Sequence, residues 1–183
     1  KAAFDADERI QRVEVSLADA EKVIMVVRPD GRLVEDWRPM TRASVRCTAE
    51  GLGPDGQSVR ESNGYNVAGR AGLEFLDEGR QQRLVDEAVH RTLFLLDATS
   101  PQPGEMPVVL AAGPSAILLH EAIGHGMEAD FNRKRISIYA DKMNQSIADS
   151  QVTIVDDGTL DGARGSINID DEGNHTERTV LVE

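Results

Sequence analysis

Residues 22–37 read KVIMVVRPDGRLVEDW. Two β-prone runs flank Pro29-Asp30-Gly31, and a proline and glycine around an aspartate between such runs are the chemistry of a tight turn, so the stretch is read as a β-hairpin. The same pattern continues on both sides. Ile10 to Leu17, IQRVEVSL, alternates apolar and polar residues as a half-buried strand does. RASVRCTAE, residues 42–50, alternates again and puts Ala43, Val45 and Cys47 on one face. Cys47 is expected in the core, where a free cysteine behaves as a small hydrophobe. Residues 51–72 are glycine-rich with little periodicity, which predicts loop and hairpin structure at one edge of this sheet. Their glycines lack the strand-to-helix setting and the lysine of a phosphate-binding loop, so plain turns are the reading.

A change of period follows. In RQQRLVDEAVHRTLFLLDA, residues 80–98, Leu84, Val85, Ala88, Val89, Thr92, Leu95 and Leu96 recur at helical spacing, which predicts an amphipathic helix lying on the sheet. His90 falls on its polar side. TSPQPGEMP, residues 99–107, has the composition of a linker. The domain boundary is placed there, giving residues 1–104 and 105–183. VVLAAG, 108–113, reads as a short strand, and Gly113-Pro114-Ser115 suits the start of a helix at or near Ser115. That helix carries AILLHEAIGHGMEADF. Val152 and Ile154 then read as a strand closing on an Asp-Asp-Gly turn, and residues 165–183 repeat strand, acidic turn and strand. The fold class is α+β: an antiparallel or mixed sheet with a packing helix, then a strand, the histidine-bearing helix and antiparallel β structure. No internal repeat is present.

Composition narrows the function classes. With 20 Lys+Arg against 32 Asp+Glu, the formal net charge is -12, which disfavours phosphate backbones and anionic lipid as partners. A single cysteine forms no internal disulfide, which fits a reducing cytoplasm. No apolar run reaches the length of a membrane span. The sequence opens at KAAFDADERI without methionine and closes in RTVLVE, a β-branched run, so it is read as an internal piece of a longer polypeptide.

The chemistry concentrates in HEAIGH, residues 120–125. His120, Glu121 and His125 have the residue types of a metal-dependent hydrolase, in which imidazoles hold the ion and a carboxylate accepts a proton from water. Ile117, Leu118, Leu119 and Ile123 are expected to bury them. The spacing is one residue longer than H-E-x-x-H, and residues five apart on an α-helix lie about 140° apart around the axis. Two backbone solutions bring the histidines together. One is a π-bulge with i to i+5 pairing; the other is a helix that ends at Gly124, with His125 entering from the first non-helical residue. Gly124 and Gly126 give either one backbone freedom. Two histidines leave a tetrahedral zinc short of a protein ligand, for which Glu128, Asp130 or a residue beyond this chain are candidates. Judged by chemistry alone, two hydrogen-bonded buried histidines and a capping glutamate compete with the metal reading.

LLHEAIGHGMEADFNRK closely resembles the H-E-x-x-x-H signature of the TldD branch of the TldD/PmbA peptidase family. MPVVLAAGPSAILLHEAIGH before it and TIVDDGTLDGARGSINIDDEGN after it are similar to the family's flanking segments, and RPDGRLVEDWRP resembles its preceding domain. The resemblance implies a zinc metallopeptidase acting on unfolded or small peptides and maturing peptide precursors. Zinc is then bound by His120 and His125, Glu121 is the general base, and substrate lies extended along a strand edge. It also implies an oligomer with a TldE/PmbA-like partner subunit that lacks the motif. The family's third zinc ligand is a downstream cysteine, and no cysteine follows Cys47 in this chain, so the ligand set is incomplete and weak metal occupancy is expected for the chain alone. The family's label as a modulator of DNA gyrase does not require direct DNA contact, which the acidic charge opposes. Asp130, Asn132 and Arg133 are read as structural residues at the helix end. The alternative reading is a non-enzymatic, partner-binding scaffold subunit of such a complex.

Overall fold

A computed structural model describes residues 1–183, which divide into two compact units. The first comprises residues 1–101 together with 157–177, and the second residues 102–156 with 178–183. The chain is α+β.

The first unit is built on a three-stranded antiparallel sheet in the order β1-β2-β3, with β1 at Ile10–Val27, β2 at Leu33–Leu52 and β3 at Ser58–Gly69. The predicted turn is present: the Arg28 amide donates to the Arg32 carbonyl at 2.8 Å, and Gly31 takes a positive φ of 82°. The separate strands expected at 10–17, 22–37 and 42–50 are instead two continuous ones. Their register runs from Val27↔Leu33 through Glu21↔Pro39 to Val13↔Cys47. The polar break at Ala18-Asp19-Ala20-Glu21 does not end β1, because the ladder continues through it with Thr41 donating to Asp19 Oδ1 at 2.6 Å. Pro39 lies in the half of β2 that pairs on one side only, where a missing N–H is tolerated. The glycine-rich stretch supplies the turn at residues 53–57 and the whole of β3.

After a short helix α1, Ala2–Ala6, and the sheet, helix α2 spans Glu78–Leu96. Asp77 caps it by accepting from the Arg80 amide at 2.8 Å. Its buried face of Leu84, Ala88, Val89, Thr92 and Leu96 meets Ala43, Val45, Cys47 and Ala49, the alternate residues of β2. Thr92 is accommodated because its hydroxyl donates to the Ala88 carbonyl at 2.7 Å. His90 is exposed, as its helical position predicts.

Residues 157–177 pack on the opposite face of the β1-β2 ribbon, through the even-numbered side chains. There the Asp36 carboxylate, its side chain fully buried, accepts from Arg38 Nε at 2.6 Å and an Arg70 guanidinium nitrogen at 3.0 Å. It also accepts from the Asn168 amide at 3.2 Å and its Nδ2 at 2.6 Å. Gly173, with φ of 75°, lies so close to the ribbon that a Cβ would come within 2.7 Å of Val34. An isolated bridge, Ile169↔His175, closes the acidic turn predicted in this segment.

In the second unit a helix begins after Ser115, as expected, with α3 at Ala116–Leu119. It continues through a π turn at His120–Gly124 into α4, His125–Met127. Glu128 breaks it with ψ of 132°, and α5 follows at Ala129–Arg133. Strands β4, Ile154–Asp157, and β5, Arg178–Val182, pair in a two-stranded sheet. Two expectations fail in this unit. VVLAAG is not a strand, since no segment of the chain pairs with it, and Val109 is 96% exposed. Val152 lies outside β4, while Asp156 and Asp157 lie inside it, so the turn begins only at Gly158. No helix is long and apolar enough to cross a membrane.

Candidate metal centre

The spacing problem in HEAIGH is solved by the π turn. The His125 amide donates to the His120 carbonyl, five residues back, so the extra residue is absorbed within one widened turn. The helix does not end at Gly124, whose φ and ψ of -55° and -56° are helical. The two imidazoles consequently meet edge to face, with ring centroids 4.4 Å apart. Glu121 joins them, and one ligand atom from each of His120, Glu121 and His125 lies within 4.8 Å of the others.

Side chains from residues 132–139 brace this geometry. Tyr139 Oη donates to the Ala122 carbonyl, inside the π turn, at 2.9 Å. The Gly126 carbonyl accepts from Ser137 Oγ at 2.5 Å and Asn132 Nδ2 at 3.0 Å, and Asn132 Nδ2 also reaches the Glu128 carbonyl at 3.0 Å. These bonds supply partners to carbonyls at a helix end. Gly126 is required for the arrangement, since a Cβ there would fall 2.5 Å from Cε2 of Tyr139. Gly124 is under no such constraint, its nearest neighbour being His120 Nδ1 at 3.7 Å.

The electrostatics single out His125. Its Nδ1 lies 2.6 Å from Glu128 Oε1, and its Nε2 lies 3.7 Å from Glu121 Oε2. The hydrogen bond to Glu128 raises the imidazole pKa above its ordinary value, opposed by desolvation and aided by the negative charges of Glu121 and Glu128. A cleft of about 600 Å³, lined in part by Leu119, His120, Gly124, Met127, Glu128 and Ile154, opens beside His120.

The expected burial does not hold. Ile117, Leu118 and Leu119 are 62%, 57% and 47% exposed, and His120, Glu121 and His125 are exposed with them. Apolar side chains enclose a site only where a second surface covers them; β4 and β5 line the cleft beside Leu119 and His120 through Ile154, Val155 and Leu181 but leave these residues open to solvent. Of the two local candidates for a further ligand, Asp130 is apart from the cluster and 3.8 Å from Lys134. Glu128 engages Nδ1 of His125 from outside the His-Glu-His group. Its reach to His125 was readable as an i, i+3 pair, whereas nothing in the sequence pattern marks Ser137 or Tyr139.

The donor set suits a borderline metal ion such as zinc. Two nitrogens sharing zinc at about 2.0–2.1 Å each stand roughly 3.3 Å apart, a separation that rotation of exposed side chains can reach from the observed spread.

A helix widened to gather two imidazoles and a carboxylate, on an α+β scaffold, has the donor set of a metal-dependent hydrolase. Residues 1–96 match the model of the PmbA/TldA metallopeptidase central domain, and residues 103–183 that of the PmbA/TldA metallopeptidase C-terminal domain. The chain belongs to this metallopeptidase family. It is similar to a metalloprotease TldD homolog of Haemophilus influenzae, 38% identical over 187 aligned positions that cover 100% of this chain and 38% of the relative. A metalloprotease of Methanocaldococcus jannaschii is 30% identical, covering 97% of this chain and 38% of its own length. The chain thus spans well under half the length of these relatives. The crystal structure of a candidate modulator of DNA gyrase from Bacteroides thetaiotaomicron shares the fold, with a TM-score of 0.78 at 24% identity, over 100% of this chain and 40% of that one.

Proposed function

We propose that this chain carries the helix-borne part of a zinc peptidase site, with His120 and His125 as zinc ligands and Glu121 as general base. The observation that carries the proposal is the π turn, which places the two rings 4.4 Å apart. Zinc bound there supplies Lewis acidity to a scissile carbonyl and lowers the pKa of water. Glu121, its side chain 62% exposed and beside both histidines, accepts a proton from the attacking water and delivers it to the leaving amine. Residues 105–183 open the catalytic domain in this reading, and residues 1–104 belong to the domain before it. The third ligand, a cysteine in the family resemblance, comes from outside this chain.

Unfolded or small peptides, including precursors matured by cleavage, are the proposed substrates. An extended peptide adding to a strand edge is read through its backbone, which tolerates varied side chains. A TldE/PmbA-like subunit is the proposed partner, and the cytoplasm the proposed setting, in keeping with the free thiol of Cys47.

The test is Glu121→Gln in the full-length protein, with zinc content and peptide hydrolysis both measured. Zinc is expected to be retained, with hydrolysis reduced by about 10² to 10⁴-fold. Undiminished hydrolysis in that variant overturns the assignment of Glu121.

A further inference from the structure

We propose that Glu128 is a positioning residue for His125: its carboxylate accepts the Nδ1 proton and so presents Nε2 as the metal-binding nitrogen. The proposal rests on the zinc reading above and adds a role for a residue outside the H-E-x-x-x-H pattern. A neutral imidazole has one donor and one acceptor nitrogen, and the hydrogen bond made by one nitrogen decides what the other offers. Here Glu128 Oε1 lies 2.6 Å from Nδ1, while Nε2 points into the group formed with His120 and Glu121, 3.7 Å from Glu121 Oε2. The two ring nitrogens therefore face different partners, one for holding and one for ligation.

Glu128 is itself fixed in place. It sits where the helix breaks, and its carbonyl accepts from the Asn132 amide at 3.1 Å and from Asn132 Nδ2 at 3.0 Å. Its backbone cannot drift without loss of both bonds. A carboxylate holding the outer nitrogen of a ligating histidine fixes both tautomer and ring orientation, and loss of such a partner commonly weakens metal binding by about 10 to 100-fold. The side chain is half exposed, so its replacement does not open a cavity or strand a buried charge.

The experiment compares wild type, Glu128→Ala, Glu128→Gln and His120→Ala in the full-length protein. The ¹⁵N shifts of the His125 ring are read without metal at a pH where the ring is neutral, and zinc affinity is measured by chelator competition. Glu128→Ala is expected to shift His125 from the Nδ1–H to the Nε2–H tautomer and to weaken zinc binding about 10 to 100-fold. Glu128→Gln, which keeps an acceptor oxygen, should restore most of both. An unchanged tautomer, or an affinity within twofold of wild type in Glu128→Ala, overturns the proposal. Loss of one oxygen ligand from the bound zinc in Glu128→Ala, read by X-ray absorption, also overturns it, by making Glu128 a ligand. The underlying zinc reading is judged separately: it stands if His120→Ala loses the metal, whatever Glu128 does. It falls, taking this proposal with it, if the wild type binds no zinc.

Discussion

Replacing Asp36 by asparagine tests what holds residues 157–177 on the β1-β2 ribbon. The wild-type carboxylate has no exposed surface and pairs with two guanidinium groups whose side chains are 18% and 13% exposed. Breaking a buried pair by removing one partner costs about 3–5 kcal/mol, because a charge is left desolvated. Two features reduce that figure here. Arg38 keeps its bond to the Ile169 carbonyl at 2.8 Å and Arg70 keeps one to the Trp37 carbonyl at 3.2 Å, and asparagine retains one acceptor oxygen. A loss of about 2–3 kcal/mol is therefore expected, which at a urea m-value of about 2 kcal/mol/M lowers the midpoint by roughly 1–1.5 M. Trp37, the chain's single tryptophan and the neighbour of Asp36, reports the transition by fluorescence. Burial pushes the Asp36 pKa up, but the bonds from Arg38 and Asn168 and the Arg38 charge outweigh it and hold it below the ordinary carboxylate value. A depressed folded-state pKa means that the stabilisation is complete above the unfolded value of about 4 and is lost as pH falls through the folded one. The gap between wild type and variant should therefore be full at pH 7 and close below about pH 4. A midpoint shift smaller than about 0.3 M at pH 7, or a gap that widens on acidification, refutes the argument.

Gly126→Ala should force the Tyr139 ring away, at a cost of about 1–3 kcal/mol, and speed amide hydrogen exchange across residues 120–127. Gly124→Ala should not, and equal exchange in the two variants would count against the brace described for the π turn. Cys47 has no exposed surface, and burial pushes its thiol pKa up, so a thiol reagent at neutral pH is expected to label it only after unfolding. Rapid stoichiometric labelling of the native chain would contradict that placement.

The sheet was legible where local chemistry and global fold agree. Pro29-Asp30-Gly31 makes its turn, Ala43, Val45 and Cys47 share the buried face, and Leu84 to Leu96 form the helix surface that covers them. What escaped was continuity. Residues 18–21 carry a polar break that looks like a strand end, and only pairing with residues 39–42 shows otherwise. The histidine pair was legible in residue type and in its need for a special backbone. The choice between a π turn and a helix end was not, since Gly124 permits both and the side chain that meets Ala122, Tyr139, lies 17 residues away. Burial of Ile117, Leu118 and Leu119 failed because apolarity states a preference for cover without naming what provides it.

The widened turn also sets the phase of the helix. An α-helix advances about 100° per residue, so one added residue ordinarily rotates everything after it onto another face. Between His120 and His125 the addition is taken up as extra girth, and the second ring still arrives beside the first. A change of one residue in length is thus nearly silent in space while it breaks any search that insists on a fixed interval of four. Such a helix is better recognised by which carbonyl each amide reaches than by counting letters.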